Sequence, residues 1–183
     1  MIQSDQLLLD VPTLEDIVSI WNWRRNPKVS QFFFEQEPFT LEEHKHWWIR
    51  IRNDDSERFY VVRLKAEPET IIGHLGLTHI DWRSRNAEFG RFLIWPENMR
   101  GKGYGLDSLS LILYHAFKHL GLVHIYAYTT ENHNDALKSY RNVGFTREGI
   151  LRKHKLINGE LTDIVILGIL SNEYRMQHSQ PSF

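Results

Sequence analysis

Three glycines at alternate positions, Gly101, Gly103 and Gly105, separate a strand-like run over 87–94, closed by Pro96, from an amphipathic helical pattern that reaches about His119. A strand that feeds a helix through so tight a turn commits the chain to layers, because the helix must pack back on the sheet it left. Glycine has no Cβ, so backbone N–H groups can converge on an anion where side chains would collide with it. The helix that follows adds unpaired N–H groups and the positive end of its dipole. Arg100 and Lys102 supply charge, and Tyr104 completes the turn. The geometry suits a diphosphate. It is not a Walker loop, because no Gly-Lys-Ser or Gly-Lys-Thr follows, and its glycine spacing and mid-chain position do not fit a dinucleotide fingerprint. By itself the string fits a solvated turn as well as it fits an anion cradle.

The flanking pattern is mixed. Leu7 to Leu9 reads as a strand. Thr13 with Asp16, and Thr40 with Glu43, form two capping boxes that open helices, the first running to about Trp23 and ended by Pro27. Strands are expected over 59–65, 70–80, 87–94 and 123–129, with a turn at Glu67-Pro68-Glu69. Gly73 and Gly76 inside the second strand signal a bulge or a close backbone approach. A helix over 135–143 stops at Gly144, a C-cap residue. Strands over 152–157 and 162–170 flank Asn158-Gly159, a strong hairpin signal. This order is neither regular βαβ nor all-β. It gives an α/β fold: a single-domain mixed β-sheet flanked by helices, spanning 1–183, with the core over about 5–172 and a polar tail over 173–183.

Charge and composition remove several classes of function. Lys and Arg number 22 against 23 Asp and Glu, a net charge of -1. Nothing overall attracts nucleic acid or an anionic membrane, and no sequence-specific nucleic-acid partner is expected. Cysteine is absent, which excludes a Cys nucleophile, a disulfide framework and any thiolate metal site. No apolar run approaches a membrane span and the N-terminus lacks a signal-peptide pattern, so no membrane association is expected and the cytoplasm is the expected compartment. The 10 histidines contain no His-Glu-x-x-His spacing, and no metal is expected.

Two segments carry a family resemblance. Arg100, Gly103 and Gly105, with Gly101 between, match the acetyl-coenzyme A loop of the Gcn5-related N-acetyltransferases (GNAT). In Asn132-His133-Asn134-Asp135-Ala136-Leu137-Lys138-Ser139-Tyr140, followed by Gly144-Phe145, the residues Ala136, Tyr140, Gly144 and Phe145 match the family in register. His133 stands where the family has Asn, so Asn132 or Asn134 would make that contact. Trp23-Arg24-Arg25-Asn26-Pro27 resembles the branch that acetylates ribosomal-protein N-termini at alanine. Gly149, Arg152, Gly159 and Asp163 resemble its closing hairpin. The resemblance covers most of the chain and implies the GNAT acyl-CoA N-acyltransferase fold, with acetyl-CoA as co-substrate held by Arg100 to Gly105, Asn132, Asn134, Ala136 and Tyr140. Backbone N–H groups near Phe92 or Leu93 would meet the acetyl group.

Acyl transfer from a thioester to an amine needs a base to deprotonate the amine, a donor at the carbonyl oxygen and a proton for the leaving thiolate. It also needs the two substrates held together. It needs no metal and no covalent nucleophile. Glu88, in the strand before the turn, is the candidate base; Glu88 and Gly90 would share one face and Phe89 the other. Its alternative is a salt-bridged glutamate. Tyr140 is the candidate acid, with an ordinary phenol pKa of about 10; its alternative is a core tyrosine packed on Phe145. Trp21, Trp23, Phe32, Phe33, Phe34, Trp47 and Trp48 form aromatic clusters that line an acceptor or belong to the core, with Trp21 and one of Trp47 or Trp48 expected as core. Trp23, Phe33, Glu35 and His74 are the candidate acceptor contacts, and His79 borders the same cleft. The expected acceptor is a small-molecule amine or a peptide N-terminus. A protein N-terminus ranks first, then an amino sugar, then a polyamine. A non-catalytic acyl-CoA sensor is the rival class. Sheet edges leave room for a homodimer.

Overall fold

The computed structural model describes residues 2–30, 39–157 and 159–174. Eight strands form one sheet in the order β1-β2-β3-β4-β5-β6-β8-β7. They are β1 (Ile2–Gln3), β2 (Leu7–Asp10), β3 (Arg58–Leu64), β4 (Glu67–Asp81), β5 (Asn86–Ile94), β6 (His124–Thr130), β7 (Thr146–Ile157) and β8 (Glu160–Leu170). Every neighbouring pair is antiparallel except β5 with β6. A parallel pair needs a crossover, and the glycine turn with α4 (Tyr104–Tyr114) supplies it. The remaining helices are α1 (Leu14–Arg24), α2 (Pro27–Ser30), α3 (Leu41–Arg52) and α5 (Asn134–Asn142). This is the expected mixed sheet flanked by helices.

Two cores lie on opposite sides of the sheet. On β3, Val62 joins the larger core with Leu109, Ile112 and Leu113 of α4 and Tyr140 of α5. Its neighbours Phe59 and Val61 join the smaller core with Ile17 and Ile20 of α1 and Trp48 and Ile51 of α3. The alternation of period two assigns one helical layer to each face. The two capping boxes form as expected, on Thr13 and on Thr40. Asp16 does more than cap: its carboxylate pairs with the buried Arg63 guanidinium of β3 and ties α1 to the sheet.

The sequence pattern misplaced several boundaries. Pro27 does not end α1, which stops at Arg24; it opens the one-turn helix α2, where its fixed φ and missing N–H are harmless. The turn before β4 falls on Lys65-Ala66, and 67–69 already belong to the strand. β7 begins at Thr146 rather than 152, because pairing with β8 extends it, and the two-residue β1 carried no signal. The last turn of the α4 helix, His115–His119, is a π-turn, which stacks His115 on His119 at 5.4 Å. Trp48 is core as expected, but Trp21 is half-buried, its indole N–H donating to the Phe39 carbonyl at 3.0 Å. Asn158 lies outside the described residues; Gly159 beside it takes φ 81°.

Candidate functional site

β5 and β6 pair only at Asn86↔His124, Ala87↔Ile125 and Glu88↔Tyr126. Both strands continue, β5 to Ile94 and β6 to Thr130, so the sheet opens into a cleft just past Glu88. Two glycines of β4 let neighbouring strands close in: a Cβ on Gly73 would strike the Leu93 carbonyl of β5, and one on Gly76 would lie 2.9 Å from the Arg58 carbonyl of β3. The expected close approach is therefore real.

Glu88 stands at the mouth of the cleft. Ala87 and Phe89 enter the larger core, so Glu88 and Gly90 face the α1/α3 side. The Glu88 side chain is 23% exposed, and its Oε2 lies 3.1 Å from His79 Nδ1. Tyr126 and Tyr128, two apart on β6, share its neighbourhood. Burial raises both phenol pKa values above the ordinary range, and the Glu88 charge raises them further.

The glycine turn sits at the other end of the cleft. Gly101 and Gly103 take φ 74° and 86°, with no atom within 4 Å of where a Cβ would stand. Gly103 is the N-cap of α4, whose first-turn N–H groups have no partner within the helix. Gly105 packs its Cα side against Phe92 and Ile94, 3.5 and 3.7 Å from the Cβ it lacks. Lys102 is exposed. Arg100 turns back to the strand, its Nε donating to the Ile94 carbonyl at 3.2 Å and its guanidinium 5.7 Å from the Trp95 ring. Tyr104 is half-buried, and its carbonyl accepts from the Ser108 hydroxyl at 2.6 Å.

α5 closes the cleft on the far face. Tyr140 is buried, edge-on to Phe89 at 6.0 Å and against Phe145 at 5.1 Å. Burial, and then the charge of Glu88, push its phenol well above the usual range. Ala136 is half-buried against the larger core, one turn earlier on the same helix. Asn134 opens α5 and is exposed, as is Asn132, whose carbonyl accepts from the Asn134 N–H at 3.0 Å. His133 between them is the N-cap. Phe92 packs on Phe89 at 5.5 Å, and Leu93 is buried.

The α1/α3 side is aromatic. Trp23 stacks over His74 at 6.5 Å, and Phe59 lies 5.4 Å from the same ring. His74 is 2% exposed, and burial pushes its pKa down to about 3. His44 stacks on Trp47 at 5.0 Å and is pushed down to about 4, chiefly by burial. Arg91 takes φ 52°, pairs with Glu57 and lies 5.2 Å from the Trp47 ring. His44, Arg91, Tyr126 and Tyr128 were not picked out by sequence. The two tyrosines carried a usable signal: spaced two apart, they share one face of the strand that follows the crossover. Phe33 and Glu35, with Phe32, Phe34 and Glu37, lie outside the described residues. Among the described residues there is no cluster of three metal-ligating side chains and no helix long and apolar enough to cross a membrane.

A sheet split beside a carboxylate, with a glycine turn at the crossover helix and a tyrosine on the closing helix, fits an acetyl-CoA-dependent N-acyltransferase. The acetyltransferase (GNAT) domain model matches residues 6–146, and the chain belongs to that family. It is 29% identical over 171 residues to a spermidine N(1)-acetyltransferase of Vibrio cholerae, covering 93% of this chain and 96% of that protein. The Escherichia coli K12 spermidine N(1)-acetyltransferase is 27% identical over 167 residues, covering 91% and 87%. The crystal structure of spermidine N-acetyltransferase from V. cholerae in complex with CoA and spermine superposes with a TM-score of 0.86 at 28% identity, covering 93% and 99%. These relatives overturn the resemblance to the ribosomal-protein branch. The segment that suggested it, 23–27, is a helix-to-helix turn: Asn26 Oδ1 accepts from the Lys28 N–H at 3.0 Å to restart the chain as α2. The chain transfers acetyl from acetyl-CoA to an amine, and the geometry fits that co-substrate: an open glycine turn at a helix N-terminus leads into a gap between two strands.

Proposed function

We propose that the acceptor is a polyamine of the spermidine type, and that Glu88 takes the proton from its reacting nitrogen. The carrying observation is the Glu88 carboxylate at the end of the β5–β6 pairing, beside the Tyr126 and Tyr128 rings, in a chain similar over nearly its whole length to spermidine N-acetyltransferases. An alkylammonium is attracted both by a carboxylate and by the faces of aromatic rings. A peptide N-terminus has no comparable support.

This reading gives each residue of the site a role. N–H groups at Gly101, Lys102, Gly103, Tyr104 and Gly105 hold the diphosphate, and Arg100 braces the turn against β5. Ala136 leaves room for the co-substrate's arm, which supplies the acetyl thioester. Asn132 and Asn134, exposed at the start of α5, line that arm. Backbone N–H groups of Phe92 or Leu93 meet the thioester oxygen as charge builds on it. Glu88 deprotonates the amine from the α1/α3 side. Tyr140 keeps its proton at neutral pH, because burial opposes the phenolate, and gives it to the departing sulfur. Trp23 shapes the acceptor side, with His74 beneath it as a buried support.

The test is a competition. Purified protein receives acetyl-CoA with equal amounts of spermidine, spermine, glucosamine and an alanine-terminated peptide, and each acceptor is followed by mass spectrometry. A polyamine gaining one acetyl group ahead of the others is the expected result. Preferential labelling of the peptide or the sugar overturns the reading.

A further inference from the structure

We propose that His79 is the proton exit of the reaction, a positioning residue that acts through Glu88. The inference rests on the reading of Glu88 as base and adds where its proton goes.

The backbone of β4 is bent to put the imidazole there. Leu77 and Ile80 both enter the larger core, so the two residues between them, Thr78 and His79, both leave toward the other face. Regular alternation would have sent His79 inward. The register between β4 and β5 shifts between Thr78 and Asp81, and His79 takes φ 51°, in the left-handed region that side chains seldom adopt. The result is a bulge that re-aims one side chain. Thr78 sits directly across from Glu88. The His79 ring lies over this pair, its Nδ1 3.1 Å from Glu88 Oε2 and 3.1 Å from Thr78 Oγ1.

Exposure gives the contact its direction. The Glu88 side chain is 23% exposed and the His79 side chain 74%. Nδ1 of the ring touches the base, and most of the His79 side chain is open to water. A substrate ammonium gives one proton to a Glu88 oxygen. The carboxylic acid passes it to Nδ1 of a ring that carries its own proton on Nε2. Water or buffer takes the Nε2 proton. A carboxylate and a neutral imidazole protonated on Nδ1 remain; the exposed ring turns about its Cβ–Cγ bond, Nδ1 gives its proton to water, Nε2 takes one back, and the starting tautomer is restored. No other atom changes hands.

Two substitutions separate relay from support. Asn and Gly both tolerate positive φ, so the bulge survives either change. His79→Asn offers its amide to Glu88 but carries no proton; His79→Gly leaves an open slot. Turnover with the preferred acceptor is measured for both against rising imidazole, with thermal melting as a check on folding. Both variants should melt like the wild type and lose about 100-fold in kcat, the low end of the range for a proton-transfer group. Free imidazole should restore at least about tenfold to His79→Gly and nothing to Glu88→Gln, since it replaces only the exit. Wild-type kcat in either variant, full activity in His79→Asn alone, or no response of His79→Gly to imidazole overturns the proposal while leaving Glu88 as base. A Glu88→Gln enzyme with undiminished turnover overturns the underlying reading instead.

Discussion

The α4/α5 side and the α1/α3 side of the sheet are built by opposite means. On the first, the proposed co-substrate site is mostly main chain: a glycine turn with two residues at positive φ, a helix N-terminus and the open edge of β5. On the second, side chains from distant positions meet: Trp23, His44, Trp47, Phe59, His74 and Arg91 pack around one another. A main-chain site is restricted by conformation and admits few sequences. A side-chain site is restricted by shape and charge and can be rewritten residue by residue. The first suits a co-substrate shared by many enzymes, the second an acceptor that differs between them.

The largest test of this contrast sits where the two sides meet. Glu88→Gln should lower kcat by about 1,000-fold and Tyr140→Phe by about 100-fold, within the range of general acid–base groups, with CoA affinity by calorimetry unchanged. Wild-type kcat in Tyr140→Phe would reduce that residue to core packing on Phe89 and Phe145. A smaller effect separates the sides by pH. The folded pKa of His74, about 3, lies below the ordinary value of 6.5, so the unfolded chain binds the proton first. Stability from this group is complete above pH 6.5 and is lost as pH falls toward 3. By pH 4 the loss should reach about 3 kcal/mol. His44, with a folded value of about 4, adds in the same direction. Urea midpoints from pH 7 to 4 should fall further for the wild type than for His74→Phe; parallel curves would refute it. The smallest effect belongs to the turn. Gly103→Ala forces a Cβ onto a backbone at φ 86°; the free turn should relax from that conformation, and restoring it should weaken CoA binding by about tenfold, the effect of ~1–2 kcal/mol of strain. An unchanged dissociation constant would mean that this turn does not hold the co-substrate.

The same contrast explains what could be read from the sequence. Thr13 with Asp16, Thr40 with Glu43, and Gly101 to Gly105 are local devices, complete within a few residues, and each formed where its string placed it. The first half of β7 could not be placed, since residues 146–151 are held as strand by their partners on β8. The outward turn of His79 depends on a register shift that neither strand specifies alone. Arg91 finds Glu57 from 34 positions away. The acceptor branch was misread for the same reason: the co-substrate motifs are local, while the acceptor side is assembled from separate elements.

The early end of the β5–β6 pairing has a consequence for the lifetime of the protein. From Phe89 onward β5 keeps β4 on one flank and loses β6 on the other, so a stretch of main chain in the middle of the sheet awaits a partner of peptide-like polarity. A bound thioester arm with its own amides can take that place, and the co-substrate then completes the sheet as well as entering the reaction. Binding to the folded chain alone raises its stability by about 2.7 kcal/mol at a hundred times the dissociation constant. The folded chain should then resist unfolding and degradation longer with this arm bound than with the gap empty.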